Sequence, residues 1–287
     1  MNNVKIRQMT TSASDLNGIA NIHRSCEDPW NEIEECTAWI TKRLERGFYI
    51  QVAEIDGKIV GHGEWIISDE PGRKFLYLGM LQIDADYQGR GIGRVMVADG
   101  IEYAKKNGCE SVITVPDDGG ADIFYRKCGF TDGRKSHSLK MLTEPYKNYI
   151  FEKTNVDKVP FSVIREKKYI FGKGQISSRH MWECYNEKPS TDDRLTPAIL
   201  LPDGTYIQID VTNGGYFMIW SNSVNYSDII KSALSFGYSL GLHYLVFDYL
   251  EDEEVFLDGF EIYDKTQEPE FEQVYYIACE KVLQEDT

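Results

Sequence analysis

The chain has 287 residues, 31 of them basic and 46 acidic, so its formal charge is −15. Nucleic acid and anionic membranes carry dense negative charge, so this balance argues against both as partners. Hydrophobic residues make up 42% of the chain, which favours about two folded domains over a disordered chain. Up to residue 144 the chain has 18 basic and 22 acidic residues, against 13 and 24 after it. An anionic ligand is therefore expected in the front half.

The chain start lacks the apolar run of a signal peptide, and no stretch reaches the roughly 18 to 20 apolar residues of a membrane span. Its six cysteines lie far apart without a CxxC pair, which is typical of reduced thiols. His180 and Cys184 have helical ligand spacing but no partner cluster, so no metal site is expected. The sequence thus predicts a cytosolic protein without a membrane anchor.

The front half predicts an α/β fold in which hydrophobic periodicity alternates between that of strands and that of helices. Ser12 or Ser14 is expected to cap the first helix and Asn31 the second, and Asp56-Gly57 predicts a tight hairpin turn. The expected elements are strand 4–9, helix 15–25, a helix between Asn31 and Gly47, strands 48–55, 58–67 and 74–84, helix 91–107, strand 111–115, helix 121–127 and a final hairpin ending near Leu142.

A polar stretch over 145–158 without periodicity predicts a domain boundary, which gives a front domain over 1–145 and a back domain over 146–287. The back half repeats the order helix, glycine, strand, short helix and Gly-Phe that the front half has. We interpret the back domain, also α/β, as a decayed second copy of the front one, with chance similarity as the alternative. Its expected elements are strands 198–201, 206–211 and 216–220, helix 226–240, and strands 243–249, 260–263 and 274–282.

The most informative segment, residues 87–94, has the sequence YQGRGIGR and lies between an apolar strand and an amphipathic helix. Three glycines in five residues let the backbone approach a ligand, and amides at a helix N-terminus bind anions. Arg90 and Arg94 add positive charge to an otherwise acidic chain. The segment lacks both the Gly-Lys-Ser/Thr of a P-loop and the GxGxxG of a dinucleotide fold. A phosphate or pyrophosphate is the expected occupant, with a glycine-rich turn without a ligand as the alternative.

Three segments together resemble the GCN5-related N-acetyltransferase (GNAT) superfamily over about residues 3–143. They are Leu81-x-Ile83, Gln88-x-x-Gly91-x-Gly93 and the AxxFYxxxGF segment of residues 121–130. The resemblance implies a mixed central β-sheet flanked by helices and acetyl-coenzyme A as the cofactor. It implies that the pantetheine arm pairs with the backbone of Leu81 and Ile83. The pyrophosphate is then expected on the backbone of Gln88, Gly89, Arg90, Gly91, Ile92, Gly93 and Arg94.

Acetyl transfer to an amine needs a base, a donor to the oxyanion and an acid for the departing thiol. The resemblance implies Tyr125 as the acid, with a core aromatic ring as the alternative, and a backbone amide near Leu81 at the oxyanion. Glu64 is the candidate base, with an exposed strand residue as the alternative, because Tyr77 stands where many relatives have glutamate. Asp118 stands near a position that is asparagine in many relatives, so no coenzyme contact is carried over to it.

By the same resemblance the acceptor lies near Glu27, Asp28 and Trp30, an acidic and aromatic wall suited to a cationic amine. Helix-dipole preference for acids in a first turn is the alternative explanation of those acids. No Cys/His nucleophile pair is visible, so direct transfer in a ternary complex is expected. The sequence therefore predicts an N-acetyltransferase acting on a primary amine, small molecule or peptide, with an inert acyl-coenzyme A sensor as the alternative. The back domain is expected to be a lid, an acceptor wall or the surface of a homodimer.

Overall fold

The computed structural model describes residues 4–27, 30–70, 73–116, 120–156, 161–164, 166–167, 169–172, 197–211, 215–223, 225–250, 260 and 275–283. The chain forms two compact units. The first unit comprises residues 1–68, 73–133 and 279–287, and the second comprises residues 69–72 and 134–278. In the described part of the chain, no helix is long and apolar enough to cross a membrane.

Helices and strands alternate along both units. In chain order they are β1 (Lys5–Gln8), α1 (Ala13–Ser25), α2 (Ile33–Glu45), β2 (Tyr49–Ile55), β3 (Lys58–Glu70), β4 (Arg73–Ile83), α3 (Ile92–Lys106), β5 (Ser111–Thr114), α4 (Ala121–Lys127), β6 (Thr131–Leu142), β7 (Thr154–Val156), α5 (Phe161–Ile164), β8 (Tyr169–Gly172), β9 (Ala198–Leu200), β10 (Tyr206–Asp210), β11 (Tyr216–Ser221), α6 (Tyr226–Ser239), β12 (Tyr244–Leu250) and β13 (Tyr275–Val282).

The sheet of the first unit has the strand order β1-β2-β3-β4-β5-β13. It is mixed, because β4 and β5 run parallel while the pairs β1/β2, β2/β3 and β5/β13 run antiparallel. Helix α3 connects the parallel pair and lies close to the sheet. A Cβ atom at Gly100 would come within 2.4 Å of the ring of Trp65, which is completely buried. The mixed central sheet with helices predicted from the sequence is confirmed.

The sheet of the second unit has the order β6-β12-β11-β10-β9-β7, and β8 pairs with β11. Its core includes the stacked rings of Phe217 and Phe247. Strand β11, helix α6 and the parallel strand β12 follow one another as β4, α3 and β5 do in the first unit. This order is the one that a repeat requires, while descent from a second copy stays a prediction.

Strand β6 differs from the predicted hairpin ending near Leu142, which is wrong. Residues 131–142 form one continuous strand, and Ser136–Leu142 pair with β12, a partner about a hundred residues away along the chain. The strand β12 thus provides the pairing partner that the second strand of a hairpin would have provided. The division of the chain also differs from a single cut at residue 145, because Arg134 already lies in the second unit and the end of β13 lies in the first.

Two further expectations are corrected at element ends. The N-cap of helix α2 is Glu32, not Asn31, because Glu32 is the extended residue directly before the first turn, and no side chain caps this end. Phe260 is not in a strand, and the rest of the strand predicted at 260–263 lies outside the described residues.

Asp15 ties the first strand to the first helix. Its carboxylate accepts hydrogen bonds from both terminal nitrogens of Arg7, at 2.7 and 2.8 Å, and from the backbone amide of Thr10 at 2.7 Å. Only 2% of the Asp15 side chain is exposed. The hydrogen bonds from Arg7, and less strongly those from Thr10, lower the pKa of Asp15 from 3.8 to about 2. The carboxylate is therefore more acidic in the folded chain than in the unfolded chain.

Asp15→Asn is expected to lower the free energy of unfolding by about 2 kcal/mol at neutral pH. Because the pKa is depressed on folding, this contribution is present above about pH 4 and is lost as the pH falls toward about 2. Urea unfolding of both proteins from about pH 7 to about pH 3 should show the difference shrinking at the acidic end. The control Glu102→Gln, on the exposed surface of α3, should show no such trend. A difference that does not change with pH would contradict the assignment.

Candidate functional site

The parallel strands β4 and β5 are paired only over part of their length. Their ladder runs from Phe75 opposite Ser111 to Leu78 opposite Thr114, where β5 ends while β4 continues to Ile83. Beyond Leu78, the described residues provide no strand on that side of β4. The backbone through Leu81 and Ile83 therefore lies along an open edge, where an extended ligand can pair with a strand.

The segment after β4 forms a glycine-rich loop, residues 88–94, that ends in the first turn of α3. Gly89 and Gly91 have φ angles of 72° and 80°, in the left-handed region that residues with a Cβ atom rarely adopt. Gly91 is the N-cap of α3 and carries no capping side chain. Among the described residues, no hydrogen-bond acceptor is found for the five successive amides of Gly89, Arg90, Gly91, Ile92 and Gly93. Such a row of unpaired amides at a helix N-terminus is suited to an anion.

The entry to the loop is fixed by a short 3₁₀ turn over Ala85–Tyr87. Asp84 caps this turn through the amide of Asp86 at 3.0 Å, and its second carboxylate oxygen lies 3.0 Å from Lys58 Nζ. Lys58 Nζ also lies 4.5 Å from the centre of the Tyr87 ring. These contacts within the chain hold the backbone that leads into the loop, and no ligand is needed for them.

Two side chains of the loop itself hold it against the end of β4. Gln88 donates from Nε2 to the carbonyl of Ile83 at 3.1 Å. Arg90 donates from Nη2 to the carbonyl of Asp86 at 2.6 Å, and its guanidinium lies 4.8 Å from the centre of the Tyr87 ring. The positive charge of Arg90 is therefore kept beside the unpaired amides, where it favours an anionic ligand.

The loop, the end of β4 and helix α4 line one groove of about 510 Å³. All nine residues predicted to bind the coenzyme line it, together with Tyr125. Sequence reasoning assigned no function to three further lining residues, although they flank the motifs that carried the prediction. The full lining is Leu81, Ile83, Tyr87, Gln88, Gly89, Arg90, Gly91, Ile92, Gly93, Arg94, Ala121, Phe124 and Tyr125.

Helix α4 is fixed to the loop by the contact between Phe124 and Gly93. A Cβ atom at Gly93 would come within 3.2 Å of Phe124 Cζ, so the missing side chain lets the ring lie against the first turn of α3. The adjacent Tyr125 is 7% exposed and packs edge-on against Phe124 and Phe130, with ring centres 5.0 and 5.6 Å apart. Tyr125 therefore belongs to the core and also lines the groove. This position is compatible with a core aromatic ring and leaves its role as the acid a prediction.

Glu64 is buried, 3% exposed, so it is not the exposed strand residue that the alternative described. It accepts a hydrogen bond from Trp39 Nε1 at 2.9 Å and lies 3.7 Å from Arg43 Nε. His62 Nε2 lies 3.4 Å away, but burial, and then the nearby His23, lowers the pKa of His62 to about 3, so this ring is neutral. Arg43 is thus the charged neighbour of Glu64. Glu64 is not among the residues that line the groove.

The predicted acceptor wall is described only in part. Glu27 and Trp30 both have positive φ angles, 56° and 65°, and Asp28 lies outside the described residues. Trp30 stacks on Trp39 with ring centres 4.7 Å apart, and Trp39 in turn donates a hydrogen bond to Glu64. Neither Glu27 nor Trp30 lines the groove. Glu27 nevertheless follows Cys26, whose Sγ lies 3.5 Å from the carbonyl oxygen of Ile83 in the groove.

Three residues weighed in the sequence as possible ligands or contacts lie outside the described residues, namely Asp118, His180 and Cys184. In the part of the chain that is described, no group of three or more His, Cys, Asp or Glu side chains is arranged to hold a metal ion. The five described cysteines are free thiols.

Comparison with known proteins finds similar N-acetyltransferases. Residues 16–130 match the model of the acetyltransferase (GNAT) family. An uncharacterized N-acetyltransferase of Methanocaldococcus jannaschii is 37% identical over 101 residues, which cover 33% of this chain and 43% of that protein. N-acetyltransferase 8 of Rattus norvegicus is 34% identical over 113 residues, which cover 36% of this chain and 51% of that protein. The matched region thus spans about half or less of these curated relatives.

A likeness in fold extends further than the likeness in sequence. The crystal structure of a GCN5-related N-acetyltransferase from Kribbella flavida has a TM-score of 0.67 to this chain at 11% identity. The similarity covers 98% of this chain and 71% of that one, and at this identity it concerns the fold alone. The family model and the described lining of the groove both lie within residues 16–130. Residues 16–130 therefore belong to the GNAT family of acetyltransferases.

Proposed function

We propose that the protein is an acetyl-coenzyme A-dependent N-acetyltransferase that acts on a primary amine by direct transfer in a ternary complex. The row of unpaired amides from Gly89 to Gly93, beside the open edge of β4, is the observation that carries this proposal. The family of residues 16–130 supports it. The cytosolic location stays a prediction.

The described residues fit the coenzyme. The loop amides and Arg90 would hold a pyrophosphate, while the backbone at Leu81 and Ile83 would hold an extended arm with amide groups of its own. Residues with positive charge at the loop suit the anionic end, and the apolar side chains of Ile83 and Phe124 suit the arm. Acetyl-coenzyme A, when bound, supplies the acetyl group as an activated thioester.

Two groups of this chain would then act at the reacting end of the groove. The Tyr125 hydroxyl would deliver a proton to the leaving sulfur, and a backbone amide near Leu81 would donate to the oxyanion. The acceptor would approach past Glu27 and Trp30, with Asp28 between them in the chain. A negative charge and an aromatic face there would favour a cationic amine. No cysteine lines the groove, in keeping with transfer without a covalent enzyme intermediate.

An inert acyl-coenzyme A sensor is the second candidate. One observation favours it: among the described residues that line the groove there is no carboxylate and no histidine. A groove that binds the coenzyme but lacks a base would hold the ligand without turning it over. The two candidates therefore share the binding site and differ in chemistry.

Coenzyme binding and amine acetylation are tested separately. Calorimetry should detect binding of acetyl-coenzyme A to the full chain, and Gly91→Val should weaken it at least about tenfold, or about 1.4 kcal/mol. The control Gly108→Val alters a glycine of similar positive φ that is equally open, at the other end of α3, and should leave the affinity unchanged. Thiol release over a panel of polyamines, aminoglycosides and peptide N-termini then measures turnover. Binding without turnover on any amine would favour the sensor, and no binding would refute both candidates.

Tyr125→Phe is expected to lower turnover on the order of a hundredfold, because it removes the proton donor to the leaving thiol. The dissociation constant for coenzyme A should stay nearly unchanged, since the ring still fills its place against Phe130. Tyr103→Phe, a tyrosine of α3 that stacks on Tyr49 and does not line the groove, is the control. Wild-type turnover in Tyr125→Phe would rule out the proposed role.

The role of Glu64 as base is tested by Glu64→Gln. Its contacts favour a charge partner for Arg43 over a base, because it is buried and does not line the groove. Removing one partner of a buried ion pair costs about 3 kcal/mol of stability, so the variant should unfold more readily, and Arg43→Met in the same protein should recover part of the loss. Unchanged stability with turnover reduced about a hundredfold would instead support Glu64 as the base.

A further inference from the structure

The parallel pair of the second unit separates as the parallel pair of the first unit does. Strands β11 and β12 are paired at Tyr216 opposite Val246, and β11 then continues to Ser221. In the first unit the corresponding gap beside β4 begins after Leu78. Both units therefore have the strand separation that opens one edge of the middle strand.

In the second unit this edge is already filled. Strand β8 runs antiparallel to β11, with Met218 opposite Gly172 and Ser221 opposite Tyr169. Strand β8 also contacts β12, so it lies in the gap between the separating strands. An antiparallel strand satisfies the backbone groups of its neighbour in the same way as an extended ligand would. A piece of the chain itself thus lies where the first unit leaves an open edge.

The loop that follows is also too short to repeat the anion site. Four residues, 222–225, separate the end of β11 from the start of α6, whereas eight residues, 84–91, separate β4 from α3. The shorter loop contains no glycine. It therefore lacks the left-handed positions that turn successive amides of the first unit toward one point.

The amides at the start of α6 are capped by side chains of the loop. Ser221 Oγ accepts from the amide of Ser223 at 2.9 Å, and Ser223 Oγ accepts from the amide of Asn225 at 3.2 Å. Asn225 Oδ1 accepts from the amide of Asp228 at 3.4 Å. Counted from the N-cap of each helix, the amides of Ser223 and Asn225 correspond to the unpaired amides of Gly89 and Gly91 in the first unit.

A carboxylate lies at the same helix end. Asp228 Oδ2 accepts from Asn225 Nδ2 at 2.6 Å, and Oδ1 accepts from the hydroxyl of Tyr149 at 3.0 Å. These hydrogen bonds, that from Asn225 first, lower the pKa of Asp228 and keep it ionised. A fixed negative charge in the first turn of α6 repels a pyrophosphate. The carboxylate itself interacts favourably with the positive end of the helix dipole, as a bound anion would.

We propose that the second unit holds parts of its own chain in the places of a coenzyme: β8 in the place of the extended arm, and the side chains of Ser223, Asn225 and Asp228 in the place of the pyrophosphate. The described residues then form one acyl-donor site, in the first unit. This inference rests on the proposed function of that first site.

Calorimetry of the full chain with coenzyme A tests the number of sites. One molecule per chain is expected, and Gly91→Val should weaken that single site at least about tenfold, while Gly108→Val should leave its affinity unchanged. Binding of two molecules per chain, or a second site that persists in Gly91→Val, would overturn the inference. The proposed function fails in a different way, namely if the unaltered chain binds no coenzyme at all.

Hydrogen exchange tests the occupancy of the second unit without depending on coenzyme affinity. Amides of β8 and of Met218–Ser221 should exchange slowly in the free protein, because they pair with each other. Adding coenzyme A should slow exchange in residues 84–94 and leave residues 169–172 and 216–228 unchanged. Fast exchange of the β8 amides in the free protein, or a slowing of residues 216–228 by coenzyme A, would overturn the inference.

Discussion

One constraint underlies the structure. Where a strand extends beyond the end of its parallel neighbour, its backbone N–H and C=O groups lose their partners on that side and need others. The separation of β4 from β5 after Leu78 and the unpaired amides from Gly89 to Gly93 are two parts of one such place. An extended molecule with amides along its length and an anion at its end satisfies both parts at once. The binding site is thus a consequence of strand geometry before it is a consequence of any side chain.

Charge acts locally in this chain. A net charge of −15 would discourage an anionic ligand, yet the amide dipoles of the loop and the charge of Arg90 favour one locally. Asp84 is buried just before the loop and would oppose an anion if it were alone. Lys58 lies 3.0 Å from its carboxylate and offsets that charge. The net charge of the chain therefore does not determine the electrostatic potential at the loop, which depends on these local groups.

Much of the first unit could be predicted from the sequence, because its signals are local. Periodicity gave α3 and α4 nearly to the residue, and three glycines between a strand and a helix located the loop. The signals that failed concern distant partners. The strand that pairs with β6 lies about a hundred residues away, so the local sequence predicts a hairpin where β6 runs continuously to Leu142. Glu64 was equally ambiguous, since its burial depends on Arg43 and Trp39 of a helix that comes earlier in the chain.

The difference between the two units explains why likeness in fold extends over the whole chain while the family model ends at residue 130. Strand order depends on apolar alternation, which many sequences satisfy. The family's glycines are needed only where amides must face a ligand, since a loop capped by Ser221, Ser223 and Asn225 needs no left-handed residue. Once β8 pairs with β11, the backbone requirement is met by the chain itself. A unit filled in this way can share the strand order of the first unit without a glycine-rich loop before its helix.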